Sequence, residues 1–265
     1  LYWYRSGSRF GFASELKALR LGGLCADEVD PEALDCYFTF GYVPAPRTIY
    51  RGVRKLQAAR TLTVEGAGER ERRYWTLRCG TPREISLDEA VDELEPLLDD
   101  AVRCRLMSEV PLGAFLSGGL DSSLVAAATS RMSGAPVSTH SIGFDEREFS
   151  ELETARATAG FLGTNHHEYT VHPVAAEVLP RIARHFDEPL ADSSAIPTWY
   201  VCEMARRSVT VALSGDGGDE AFAGYTFRYL PHSMESRLRA RMPAALRSVL
   251  FGPLGRLWPA SARLP

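Results

Sequence analysis

Apolar residues in this chain follow two rhythms, and the change falls near Ser86. Upstream they come in short bursts broken by glycine. "LYWYR" and "RFGFAS" flank Ser6-Gly7-Ser8, which predicts a β-hairpin. "SELKALR" has helical spacing with Ser14 as the N-cap. "DPEALDCYFTFGY" predicts a second helix, with Asp30 as N-cap and Pro31 at the first helical position. "TLTVEGAGERERRYW" predicts another hairpin around Gly66-Ala67-Gly68, and its charges at Glu69 to Arg73 read as a solvated face.

From Ser86 the texture becomes regular. "SLDEAVDELEPLLDDAVRCRLM" is apolar at helical spacing behind a capping box of Ser86 and Glu89, and Pro96 is expected to kink or restart that helix. Strand-like runs then alternate with helical ones. In order they are "PLGAFLS", a helix from Ser122, "PVSTHSIGF", a helix from Ser150, "HHEYTV", further helical stretches and "VTVALSG". The alternation predicts an α/β fold, a doubly wound parallel sheet with helices on both faces. "VTVAL" reads as a strand buried on both sides.

Composition narrows the classes. The 265 residues are 45% hydrophobic and 24% charged, with a net charge of −4. So mild a charge argues against a general nucleic-acid or membrane-surface binder. No apolar run is long enough for a membrane span. Five cysteines without a CxxC pair fit a reducing, cytoplasmic setting better than a disulfide framework or a zinc site. In a strand, His166 and His167 of His166-His167-Glu168 point to opposite faces, a poor arrangement for a metal.

The chemistry concentrates in two strand-end loops. In "FLSGGLDSS", Gly118 and Gly119 allow close backbone approach, and Ser117, Ser122 and Ser123 bring hydroxyls beside a helix N-terminus that favours anions. Asp121 would repel a phosphate unless Mg²⁺ stood between them. The loop lacks the G-K-[ST] of Walker A and is not GxGxxG, so neither GTPase-type nor dinucleotide chemistry is supported. "VALSGDGGDEAFAGY" repeats the plan, with Asp216, Asp219 and Glu220 after a strand. Each loop alone reads as a glycine-rich turn capping a helix; together they point to a bound metal–phosphate.

"SGGLDSS" resembles the pyrophosphate-binding loop of the ATP pyrophosphatase (PP-loop) superfamily. "SGDGGDEAFAGY", with "SIGFDE" and "LGTNHHEYTV" between, resembles the synthetase domain of glutamine-dependent asparagine synthetases. "YWYRSGSRFGFASELKALR" is similar to the last hairpin and helix of that family's glutaminase domain, and "GYVPAPRTIYRGVRKL" to the joining segment. The resemblance implies a glutaminase remnant with linker at 1–76, and a synthetase domain of PP-loop type over 77–265, truncated at its C-terminus. It implies ATP and Mg²⁺, a carboxylate adenylated with release of pyrophosphate, and ammonia from glutamine displacing AMP. Ser117, Gly118, Gly119, Ser122 and Ser123 would hold pyrophosphate, and Asp121 and Asp219 the metal. Phe115, Leu116, Ile142, Ser214 and Gly215 match adenosine-contacting positions. Asp216 stands where the family carries Glu or Asp, placed to take a proton from the attacking amine.

The chain also departs from the pattern. It starts downstream of the family's N-terminal nucleophilic cysteine and stops before a late lysine, so by itself it is expected to bind ATP yet not complete the reaction. Acceptor contacts are expected at Asp187, Asp192, Ser193, Ser194 and Thr198. The absence of arginine between Phe186 and Ala205 weakens free aspartate, still ranked first, against sugar acids of surface polysaccharides. A β-lactam-synthetase-like enzyme and a non-catalytic ATP-binding scaffold stay open. tRNA-thiolating relatives would bring CxxC pairs and a basic surface. Small molecules are the expected partners, not nucleic acid or membrane, with a homodimer left open.

Overall fold

The computed structural model describes residues 1–242 except 26, 67, 79, 82, 145–150 and 173. Ala67, Cys79, part of "SIGFDE", the helix start at Ser150 and the closing run after 242 therefore lie outside the described residues.

Gly7, at φ +58°, turns the first hairpin. β1 (Tyr2–Ser6) pairs antiparallel with β2 (Arg9–Ala13) and, on its other side, with β3 (Val53–Lys55). α1 (Leu16–Leu21) and α2 (Pro31–Phe40) complete this N-terminal unit. Leu16, Leu19, Ala33, Val43, Ile49 and Val53 form its core. Asp30 caps α2 as predicted, accepting from the Glu32 N–H at 3.0 Å, and Gly41 ends it in the left-handed region at φ +80°. Ser14 is not the cap of α1. That place falls to Glu15, whose side chain makes no capping bond. β4 (Arg60–Glu65) and β5 (Gly68–Arg73) form a separate hairpin.

α3 (Leu87–Arg103) opens with the predicted Ser86–Glu89 capping box. It runs through Pro96 as one helix and does not restart there. The second sheet holds β6 (Leu112–Phe115), β7 (Ser138–Gly143), β8 (Asn165–Thr170) and β9 (Val211–Leu213), in the order β8-β7-β6-β9 and parallel throughout. α4 (Leu120–Met132) connects β6 to β7, starting two residues before the predicted Ser122. α5 (Leu152–Leu162) connects β7 to β8. α6 (Ala175–Phe186) and α7 (Ala195–Ala205) connect β8 to β9. α8 (Gly218–Phe222) and α9 (Thr226–Ala240) follow.

Helices cover both faces. Ala114 and Leu213 pack with Val102 of α3 and Ala128 of α4, while Leu116 packs with α4 and α5. On the opposite face α7 lies on β7, with α6 against α7. The predicted doubly wound fold is therefore present. β9, however, borders only β6 among the described residues, and Val211 is 39% exposed, so "VTVAL" is not buried on both sides. The strand buried most completely is polar: Thr139, His140 and Ser141 of β7 are all buried.

Candidate functional site

The chain leaves β6 toward β7 on one side and returns at β9 on the other. Beyond the carboxyl ends of β6 and β9, where the winding reverses, a doubly wound sheet opens its ligand crevice. Both glycine- and aspartate-rich loops emerge there.

The first loop is held by its own hydroxyls. Ser117 N–H donates to Ser122 Oγ at 3.2 Å, and Gly119 N–H to Ser117 Oγ at 3.2 Å. Ser122 and Ser123 hydroxyls donate to the Gly119 carbonyl at 3.1 and 2.7 Å. Leu116 N–H donates to the His140 carbonyl at 3.0 Å, and the Ser141 hydroxyl to the Leu116 carbonyl, which ties the loop to β7. Gly118 takes φ +87°, and a Cβ there would stand 3.0 Å from Thr154 Cβ and 3.1 Å from Ala155 N. Gly119, the N-cap of α4, has no side chain to cap the first turn.

The second loop lies against that first turn. A Cβ on Gly215 would fall 2.8 Å from Ser122 N and 2.9 Å from Asp121 Cβ, and one on Gly218 would overlap the Asp121 carboxylate. Only glycine lets the two backbones meet this closely.

Together the loops border a cavity of about 490 Å³. Phe115, Ser117, Gly119, Asp121, Ser122, Ser214, Gly215, Asp216 and Asp219 line it, as does Thr198 from α7. Ser214 Oγ donates to Asp216 Oδ2 at 3.0 Å. Burial, and then the nearby Asp216 charge, push the Cys202 thiol up, so α7 and the second loop share a field.

Other predicted positions lie elsewhere. Leu116 is fully buried beneath the loop, and Ile142 sits half-buried on β7. Gly118 and Ser123 belong to the first loop without lining the cavity. Of the acceptor candidates only Thr198 lines it. Asp187 pairs with Lys17 at 3.3 Å, Asp192 accepts from the Ser194 N–H and hydroxyl at 2.9 and 2.7 Å, and Ser193 is exposed. Sequence reasoning missed Leu120, Val201, Gly218, Phe222 and Gly224, which also line the cavity. The signal for Val201 was there, three residues beyond Thr198 on one helix face.

The lining holds three aspartates and, among the described residues, no lysine or arginine. No group of three or more metal-ligating side chains occurs among the described residues. Hard carboxylate oxygens from Asp121 and Asp219 suit Mg²⁺ when phosphate supplies further oxygens, so the donor set fits.

Sheet order, reversal point and strand-end loops define a doubly wound α/β protein with a candidate anion cradle. A family model for asparagine synthase matches residues 93–265, and one for a glutamine amidotransferase domain matches 1–75. A glutamine-hydrolysing asparagine synthetase of Bacillus subtilis is 35% identical over 252 residues, covering 95% of this chain and 39% of that protein. A second from that organism is 31% identical over 242 residues, 84% of this chain and 39% of that protein. A Methanocaldococcus jannaschii relative is 36% identical over 260 residues, 94% of this chain and 48% of that protein. The chain belongs to the asparagine synthase family, and it spans less than half the length of these relatives.

Proposed function

We propose that this chain carries the adenylating half of an amide-forming ligase. It would convert aspartate to asparagine with ATP, and ammonia would come from glutamine through the N-terminal unit. The observation that carries the reading is the meeting of the two loops across one cavity at the reversal point, enforced by Gly215 and Gly218.

The loop from Ser117 to Ser123 and the first turn of α4 would receive the β- and γ-phosphates. Phe115, Ser214 and Gly215, which line the cavity, would bound the adenosine, with Leu116 and Ile142 outside the lining. Of the acceptor candidates, Thr198 in the cavity wall would make the contact; Asp187, Asp192, Ser193 and Ser194 do not line the cavity. An acceptor carboxylate oxygen bonds to the α-phosphorus as the bond to pyrophosphate breaks. Ammonia nitrogen then bonds to the acyl carbon, AMP leaves, and one proton must go. Asp216, which accepts the Ser214 hydroxyl at 3.0 Å, would take it up. Asp121 and Asp219 would hold Mg²⁺, which when bound offsets charge on the leaving group. A cytoplasmic setting suits the free cysteines at 25, 36, 104 and 202, and no helix among the described residues is long and apolar enough to cross a membrane.

A second reading, another carboxylate in place of aspartate, draws on the lack of an arginine in the described lining. Both are tested by pyrophosphate release from the full-length protein with Mg·ATP, ammonium and a panel of carboxylic acids, with Asp121→Ala as blank. Release with aspartate, lost in the variant, supports the first reading. Release with another acid alone supports the second. Binding of ATP without release under any acid overturns both in favour of a scaffold.

A further inference from the structure

The chain has only two lysines, and both end on consecutive acidic residues after α6. Lys17 Nζ lies 3.3 Å from Asp187 Oδ1, and Lys55 Nζ lies 2.6 Å from Glu188 Oε2. The two carboxylates are nearly buried, at 8% and 9% exposure. Asp187, at φ +66°, also accepts the Lys17 backbone N–H at 3.0 Å, giving α1 the cap that Glu15 does not provide. Glu188 Oε1 accepts the Ile49 N–H at 2.8 Å, and the Tyr2 hydroxyl approaches Oε2 at 3.5 Å. Burial, reinforced by the Glu188 and Asp187 charges, raises the Tyr2 phenol to about 12, so it stays a donor. Ala191 N–H donates to the Gly41 carbonyl at 2.8 Å. Five points of the N-terminal unit thus hold a strap of five residues, 187–191.

The strap leads directly into the site. Asp192 closes a turn on Ser194, α7 starts at Ala195, and Thr198 and Val201 form one wall of the cavity. Glu188 and Thr198 are ten positions apart. We propose that Glu188 is a positioning residue: by fixing the N-terminal unit to the strap, it sets the α7 wall and couples that unit to the cavity. For its chemical consequence, not for the coupling itself, this rests on the function proposed above.

The test uses Glu188→Gln, with Lys55→Met as a second variant, in the full-length protein. Amide hydrogen exchange reads the coupling without any chemistry. Exchange is expected to rise on the order of tenfold at Ile49 and through α7, with α3 and α4 unchanged. A rise confined to Ile49, or one spread evenly over the molecule, overturns the proposal. In activity, glutamine-driven amide formation is expected to fall on the order of tenfold while ammonium-driven formation stays within about twofold. An equal fall in both, or no fall in either, also overturns it. If the unmodified protein forms no amide with ammonium, the functional reading fails, and hydrogen exchange still decides the coupling.

Discussion

At the scale of single residues, the site depends on atoms that are missing. Gly215 has no Cβ where Ser122 N and Asp121 Cβ leave no room for one. Gly215→Ala must therefore push the second loop away from α4 or shift Asp121, and overpacking of this kind costs about 1–3 kcal/mol. Gly134 is the internal control, since nothing lies within 4 Å of a Cβ placed there. The expected outcome is a lower melting temperature and weakened Mg·ATP binding for Gly215→Ala, with both unchanged for Gly134→Ala. Calorimetric titration beside a thermal melt measures the two. Under the proposed function Asp216 would separate the two chemical steps, because its carboxylate lines the cavity and would be wanted only when the amine loses its proton. Asp216→Asn is expected to keep acceptor-dependent pyrophosphate release while amide formation falls about a hundredfold or more. Parallel assays of pyrophosphate and amide check this, and equal loss of both products would remove Asp216 from the proton role.

At the scale of elements, β7 goes against the usual rule for a central parallel strand. His140 is 0% exposed, stacks on His167 at 5.0 Å between ring centres, and touches Ser138 Oγ at 3.2 Å through Nε2. Burial, then the neighbouring His167 and His166, lower its pKa to about 4. The folded state therefore keeps His140 neutral between about pH 6.5 and 4, while the unfolded chain takes up a proton there. Stability contributed by this group is complete above the unfolded value and is lost as pH falls through that window, on the order of 3 kcal/mol. Urea melts between pH 7 and 4.5 should show the decline, and His140→Gln should flatten it; an equal slope in the variant would assign the acid sensitivity elsewhere. "PVSTHSIGF" reads as a strand, but its burial was not legible, because sequence pattern marks a buried strand by apolar residues, while here Thr139 and Ser141 are hydrogen-bonded and His140 keeps one partner, with Nδ1 unpaired. Short-range signals fared better. The capping box at Ser86, Asp30 before Pro31, the Gly7 turn and both strand-end loops involve partners within a few residues, so spacing alone reveals them. Ser14 lost the cap of α1 to Asp187, a residue 170 positions away from the N–H it receives, and no local pattern encodes that.

At the scale of the whole molecule, the same long-range pairing decides how the two halves behave together. Lys55 belongs to the sheet of the N-terminal unit and Glu188 to the strap that leads to the cavity. Glu188 is 9% exposed and keeps its Ile49 and Tyr2 donors if Lys55 is removed, yet its charge would then face a poorly hydrated setting without a cation. Breaking one side of such a pair costs about 3 kcal/mol, whereas replacing both partners with neutral groups costs less, because no orphaned charge remains. Lys55→Met should therefore destabilise the protein more than Lys55→Met combined with Glu188→Gln, a non-additivity expected for residues in contact. Urea unfolding followed separately by the fluorescence of Trp3 of β1, with the other three tryptophans replaced by phenylalanine, and by far-ultraviolet circular dichroism supplies the readout. The two probes should give one midpoint in that background. In Lys55→Met the fluorescence of the N-terminal unit should move to lower urea, and in the double variant the two midpoints should draw together again. Additive single effects with coincident midpoints throughout would mean that the strap transmits nothing between the halves. Separation followed by rescue would mean that a carboxylate remote from the chemistry keeps the N-terminal unit and the cavity wall in one cooperative structure.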